Sequence, residues 1–156
     1  MDKKSIDQLN ISLYELSDLA NLFAMKITSN STVPFNYGTG EEYTAIEAHT
    51  TTTIYLNPGI TAKEIADKTA RTQSAVSQIV SKLENKGLIK TQRDMEDGRK
   101  ICMFATEKGE KLSKAHIRYD EKNIGSMVEM IIEKYGIDAM NNYINIFSIF
   151  TNDKNW

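Results

Sequence analysis

Few residues in this 156-residue chain have side chains with chemistry of their own. There are two histidines, His49 and His116, and one cysteine, Cys102. With Glu47 or a nearby carboxylate the histidines have the donor types of a zinc site. Lying 67 positions apart with no cysteine beside either, they do not make a ligand set by spacing, so no metal site is expected and both are read as packed or solvent-facing. Cys102 has only Lys100 nearby to lower its pKa and is read as a small buried side chain rather than a redox switch. The richer constellation is polar. Thr72, Gln73, Ser74, Ser77, Gln78, Ser81 and Lys82 fall opposite an apolar stripe of Ala75, Val76, Ile79, Val80 and Leu83, with no acidic residue before Glu84. Glutamine can bond adenine edges bidentately, serine reads bases or phosphates, and lysine neutralises phosphate. Close behind, Arg93, Arg99 and Lys100 surround an Asp97-Gly98 turn, a shape and charge suited to following a phosphate backbone and placing an arginine in a minor groove. Asp97 is expected to hold the Arg99 guanidinium in one aimed conformation. Taken alone, the polar face equals any solvated helix surface and the Asp97–Arg99 pair a surface ion pair. The hairpin following a recognition-like helix favours the nucleic-acid reading.

These residues need elements to place them. Thr61 and Glu64 form a capping box that opens a short helix closing near Thr69. Thr72 caps the next, which runs to about Lys86 with Gly87 as its stop, so residues 61–86 read as helix, tight turn, helix. Residues 88–105 read as a two-stranded wing, Leu88 to Arg93 and Ile101 to Ala105. Upstream, Ile6, Leu9, Leu13, Leu16, Leu19, Leu22, Phe23 and Ile27 predict an amphipathic helix over 5–28. A loop from Ser29 then leads to a capping box at Thr39 and Glu42, predicting a helix from Gly40 to about Leu56 whose Thr50–Thr53 run must be held by packing. Downstream, Thr106 caps a long helix carrying Leu112, Ala115, Tyr119, Met127, Met130 and Ile131, with Gly136 after Tyr135 as its stop, and Asp138 is expected to cap a last helix bearing Met140, Tyr143, Ile146, Phe147 and Phe150. The first and last helices carry more apolar stripe than a small winged core can cover, which asks for a second copy.

With 40% hydrophobic and 26% charged residues the chain has the balance of one globular domain, read here as residues 1–156. One thiol excludes an intrachain disulfide, and neither a signal-peptide core nor an apolar run of about 20 residues occurs, so a cytoplasmic protein without a membrane partner is expected. The net charge of −2 argues against coating nucleic acid, yet residues 61–100 hold nine basic against six acidic residues, consistent with one anionic partner on one face. No dinucleotide fingerprint, phosphate-binding loop or His-Glu-x-x-His pattern occurs, so no enzyme and no cofactor is expected. A winged helix that binds protein is the competing reading, but such a face would expose apolar or aromatic anchors rather than Gln, Ser and Lys.

The runs Thr61-Ala62-Lys63-Glu64-Ile65-Ala66, Gln73 through Ile89, Arg93 to Asp97-Gly98-Arg99, and Ala105 through Gly109, set between long helices, resemble the MarR (multiple-antibiotic-resistance regulator) family. The chain departs from that family at Ala105, where Leu is usual, and at Gln78, where Arg is common. The resemblance implies a mainly α winged helix-turn-helix fold and a homodimer built from helices 5–28 and 106–152. It implies a repressor that binds a pseudo-palindromic operator in double-stranded DNA and is released by a small-molecule effector, with zinc- or redox-responsive regulation as the alternative. Gln73, Ser74, Ser77 and Gln78 are expected at base edges, Thr72, Lys82, Arg93 and Lys100 at phosphates, and Arg99, held by Asp97, in the minor groove. The effector-binding residues stay open. Met127, Met130, Met140, Tyr143 and Phe147 are read first as core or interface, with a pocket between the helical region and the winged part, lined also by Tyr43, Glu47 and His49, as the lesser reading.

Overall fold

The computed structural model describes residues 10–28, 32–95 and 97–152. The expected helix positions 5–9, among them Ile6 and Leu9, and wing-tip residue Glu96 lie outside them. In chain order the elements are α1 (Leu13–Thr28), β1 (Phe35–Asn36), β2 (Glu42–Tyr43), α2 (Ala45–Leu56), β3 (Ile60–Thr61), α3 (Ala62–Thr69), α4 (Gln73–Asn85), β4 (Ile89–Arg93), β5 (Ile101–Ala105), α5 (Glu107–Tyr135) and α6 (Ile137–Asn152). No helix among the described residues is long and apolar enough to cross a membrane.

The wing forms as expected: β4 and β5 pair antiparallel from Ile89 opposite Ala105 to Arg93 opposite Ile101. A third strand was not foreseen. Ile60 and Thr61 pair with Met103 and Cys102, giving the order β3-β5-β4 and tying the entry of the helix-turn-helix to the wing. Two residues after Gly59, the second of them the helix cap itself, are too few to show strand alternation in sequence.

The start of α2 corrects the expected cap. Thr44, not Thr39, is the N-cap: its hydroxyl accepts from the Glu47 N–H, and Glu47 Oε2 accepts from the Thr44 N–H at 2.8 Å. Residues 42–43 are not helical but pair with 35–36, and Tyr43 is buried, an apolar anchor on the chain entering the helix. The Thr39 hydroxyl instead donates to the Glu41 carbonyl. The threonine run is held as packing requires. Thr50, Thr51 and Thr52 are buried, and the hydroxyls of Thr51 and Thr53 donate to the carbonyls of Glu47 and His49 one turn back. The first turn of α6 also differs from expectation, since the helix begins at Ile137 and Asp138 lies inside that turn, where its charge favours the helix N-terminus.

The core joins α2, α3, α4, the wing and the start of α5 through Tyr43, Ile54, Ile65, Val76, Leu83, Leu88, Met103 and Leu112. At the crossing of α5 over the wing entry, Gly109 leaves no room for a side chain: a Cβ there would lie 2.0 Å from the Leu88 carbonyl oxygen. The flanking helices are different. α1 exposes Leu13, Leu16, Leu19, Leu22 and Phe23, and α6 exposes Ile137, Ile144, Ile146, Phe147 and Ile149, while Tyr119 and Met130 of α5 are also open.

Candidate nucleic-acid interface

The recognition-like helix α4 is positioned at both ends. At its N-terminus the Thr72 hydroxyl accepts from the Ala75 N–H and shares a 3.1 Å hydrogen bond with Ser74 Oγ. Before it, the turn out of α3 uses Ala70 in the left-handed region (φ 50). Val76 in its first turn and Leu83 in its last are buried, and at the C-terminus Thr91 of β4 donates to Glu84 Oε1 at 2.7 Å and Lys108 Nζ donates to the Lys86 carbonyl at 3.0 Å. The apolar stripe is therefore locked inward, and Gln73, Ser74, Ser77, Gln78 and Ser81 are exposed together on the opposite side. Ser77 spends its hydroxyl proton on the Gln73 carbonyl at 2.9 Å, leaving oxygen lone pairs facing out.

Arg93, Arg99 and Lys100 are exposed on the wing. The turn at its tip is closed by the Lys100 N–H to the Asp97 carbonyl (2.8 Å) and the Asp94 N–H to the Lys100 carbonyl (3.0 Å). Asp97 acts differently from expectation. Its carboxylate accepts from the Arg99 backbone N–H at 3.2 Å, so it shapes the turn from which Arg99 projects rather than gripping the guanidinium. A two-residue separation across a tight turn brings a carboxylate to the main chain sooner than to the end of a long side chain.

Lys82 is the residue whose surroundings differ most from a free phosphate contact. Its Nζ lies 3.0 Å from Glu47 Oε1 of α2, and Lys86 Nζ lies 2.8 Å from the same oxygen. The Glu47 side chain is only 3% exposed. Burial raises its carboxyl, but the ammonium groups of Lys86 and Lys82 and the Thr44 amide outweigh this and bring the pKa down to about 2. Both lysines approach Oε1 off its hydrogen-bonding directions, so that oxygen is compensated by charge without an aligned hydrogen bond. Lys86 also sits over the Tyr43 ring, 5.1 Å from its centroid.

The other face of α2 meets α5. There the ring of His49 stacks edge-on against that of His116 at 4.4 Å between centroids, and His116 Nε2 is 3.3 Å from Asp120 Oδ2. Donor atoms of His49, His116 and Asp120 all lie within 4.8 Å of one another. The sequence offers the two histidines as zinc donors with Glu47 or a nearby carboxylate but does not single out Asp120; the one available signal is the i, i+4 spacing of His116 and Asp120 on a single helix face. His116 is buried, shares a 3.3 Å contact from Nδ1 to the Thr52 hydroxyl, and is held below the usual histidine pKa by burial and by His49, against the pull of Asp120. Two imidazoles and a carboxylate are the donor types zinc takes, and a tetrahedral ion with bonds of about 2.0–2.2 Å could be reached from this spacing by side-chain rotation. The trio borders a cavity of about 980 Å³ lined also by Phe23, Met127, Met140, Tyr143 and Phe147. Five of the eight residues considered for an effector pocket, Met127, Met140, Tyr143, Phe147 and His49, thus border one cavity; Met130 is not among the lining residues, Tyr43 is in the core and Glu47 faces α4.

Cys102 is partly buried, and its thiol donates weakly to Asp94 Oδ2 at 3.8 Å. Burial and the Asp94 carboxylate raise its pKa, the reverse of what a reactive thiolate needs.

Residues 45–100, from α2 to the wing tip, match the MarR family model. A comparison with curated protein sequences finds no match. Among solved structures the fold is similar to the transcriptional regulator SlyA (TM-score 0.71, 16% identity, covering 86% of this chain and 90% of that one). It is similar to Lactococcus lactis ZitR in complex with DNA (TM-score 0.67, 22% identity, 91% and 97% covered). It is also similar to the S. aureus MepR–DNA complex (TM-score 0.68, 22% identity, 86% and 97% covered). Residues 45–100 thus match the MarR family by sequence, and the fold of the chain is similar to those of the solved regulators.

Proposed function

We propose that the protein is a homodimeric transcription regulator that binds a pseudo-palindromic operator in duplex DNA and represses by occupying it. The observation that carries this reading is the exposed Gln73, Ser74, Ser77 and Gln78 face of α4 beside a wing tipped with Arg93, Arg99 and Lys100. In this reading 61–86 is the helix-turn-helix, 88–105 the wing, and α1, α5 and α6 the dimerisation region of one regulator domain. Gln73, Ser74, Ser77 and Gln78 read base edges, Thr72, Arg93 and Lys100 contact phosphate, and Arg99 on its Asp97-shaped turn enters the minor groove. The DNA complexes of ZitR and MepR support it by fold. Selection of bound sequences from a random duplex pool across a salt series tests it. Enrichment of a two-fold symmetric site with half-sites about 10 bp apart and a steep salt dependence is expected. Weak, salt-insensitive retention without enrichment would point to a protein partner instead. On the selected site, Gln73→Ala should lose about 1–3 kcal/mol at one base pair per half-site, and Arg99→Ala should weaken all sequences alike.

The regulatory signal has a second, more specific reading than an unidentified organic effector. His49, His116 and Asp120, brought together from α2 and α5, favour a divalent transition metal such as zinc. In this reading the three residues hold the ion, which supplies a Lewis-acid crosslink between the two helices. Equilibrium dialysis with zinc should show binding to the native protein that His116→Ala removes, and zinc should change operator affinity at least about five-fold, with operator changing zinc affinity by the same factor. Equal zinc uptake by native and His116→Ala protein would return the assignment to an organic ligand in the adjoining cavity.

A further inference from the structure

The Glu47 carboxylate is a buried negative charge placed directly beneath the flank of the recognition helix, and nothing in base or phosphate reading requires it. It takes one lysine from α4 and one from the cap that ends it. Lys82 and Lys86 lie one turn apart, at the edge of the face that carries Ser74 and Gln78, and both ammonium groups converge on one oxygen at 3.0 and 2.8 Å. The carboxylate is itself anchored: its second oxygen accepts from the Thr44 N–H, so it cannot follow the lysines outward without opening the α2 cap. The convergence is charge compensation without aligned hydrogen bonds, so each lysine is held by attraction that a phosphate could match. Lys86 is further fixed over Tyr43.

We propose that Glu47 is a positioning residue that sets how strictly the protein discriminates between DNA sequences, by seating α4 against α2 and withholding the charges of Lys82 and Lys86 from the phosphate backbone. Phosphate contacts add affinity for every sequence equally, whereas base contacts separate one sequence from another. Two lysines released on each protomer would strengthen binding to random DNA. Two lysines held back leave the contacts of Gln73, Ser74, Ser77 and Gln78 as a larger share of the total. The charge count of α4 and its C-cap thus overstates their free positive charge, since the ammonium groups of Lys82 and Lys86 are engaged from below.

The inference rests on the DNA-binding reading, and the test separates the two. Glu47→Gln keeps the shape of the side chain and its acceptor for the Thr44 amide while removing the charge; Glu47→Met serves if the amide variant does not fold, as judged by circular dichroism and thermal unfolding. Affinity for the selected operator and for random duplex is measured across a salt series for the native protein and the variant. The expected result is tighter random-DNA binding in the variant, a salt slope steeper by roughly 0.9 for each phosphate newly contacted, and at least a several-fold fall in the ratio of operator to random affinity. Adding Lys82→Gln and Lys86→Gln to the variant should cancel the gain on random DNA. An unchanged slope and ratio in a folded variant, or equal weakening on both DNAs, overturns the inference while leaving the function intact. Failure of the native protein to enrich any sequence overturns the function itself.

Discussion

Glu47 also governs how acid acts on the molecule. Its carboxyl is lowered from 4.5 to about 2, so the folded state binds its proton less readily than the unfolded chain. The stabilisation is fully present above pH 4.5 and is lost as pH falls through the window down to about 2, on the order of 1–2 kcal/mol once solvent screening at the half-open Lys82 is allowed for. Thermal unfolding of the native protein between pH 5 and pH 2.5 should show this decline, and Glu47→Gln should flatten it. Gly109 sets a steric limit of a different kind. Gly109→Ala would drive a methyl into the Leu88 carbonyl with Thr51 Cγ2 close beside it, and because the clash is with main chain the expected loss is about 3 kcal/mol or more, read by urea unfolding. Among single residues, the DNA-facing side chains were legible because an apolar stripe dictates its own opposite face. The His49, His116 and Asp120 cluster and the Glu47 pairing were not, since both arise where α2 packs between α5 and α4 and no local spacing records which helices will meet. Asp97 was recognised as a partner of Arg99, but its reach to the backbone depends on turn geometry that composition does not specify.

At the scale of elements, the two candidate caps before α2 give a direct contrast. Thr44→Ala removes the side chain that accepts from the Glu47 N–H and should cost about 1 kcal/mol, whereas Thr39→Ala, outside the helix, should stay within about 0.5 kcal/mol in the same unfolding experiment. Both threonines stand three residues before a glutamate, and the sequence pattern alone did not rank them; the burial of Tyr43 and the short β1–β2 pairing decide it. Helices with long stripes and glycine stops were legible nearly to their ends, as α4 and α5 show with Gly87 and Gly136 just beyond. The two-residue strand β3 was not, because its evidence is its partner, Met103 and Cys102, forty residues away.

At the scale of the molecule, α1 and α6 present apolar rows that the chain itself leaves open. In a dimer these rows would be covered, so Leu19→Glu or Ile146→Glu should shift sedimentation toward a monomer, lower the melting temperature, and reduce operator affinity by far more than random-DNA affinity, since one recognition helix cannot span two half-sites. The anchoring of α4 is lopsided. Its far end is tied by Lys86 to Glu47, by Glu84 to Thr91 and by the Lys86 carbonyl to Lys108, while ahead of the buried Val76 its near end has only a threonine cap and a short turn. Such a helix behaves as a hinged boom. With 13 residues it is about 19 Å long. A swing of about 10° at the fastened end therefore carries Gln73 and Ser74 through roughly 3 Å, about the rise of a single base step along the groove. A movement of that size, which the core absorbs at the buried Val76, would thus be enough to put the reading end out of register with its half-site.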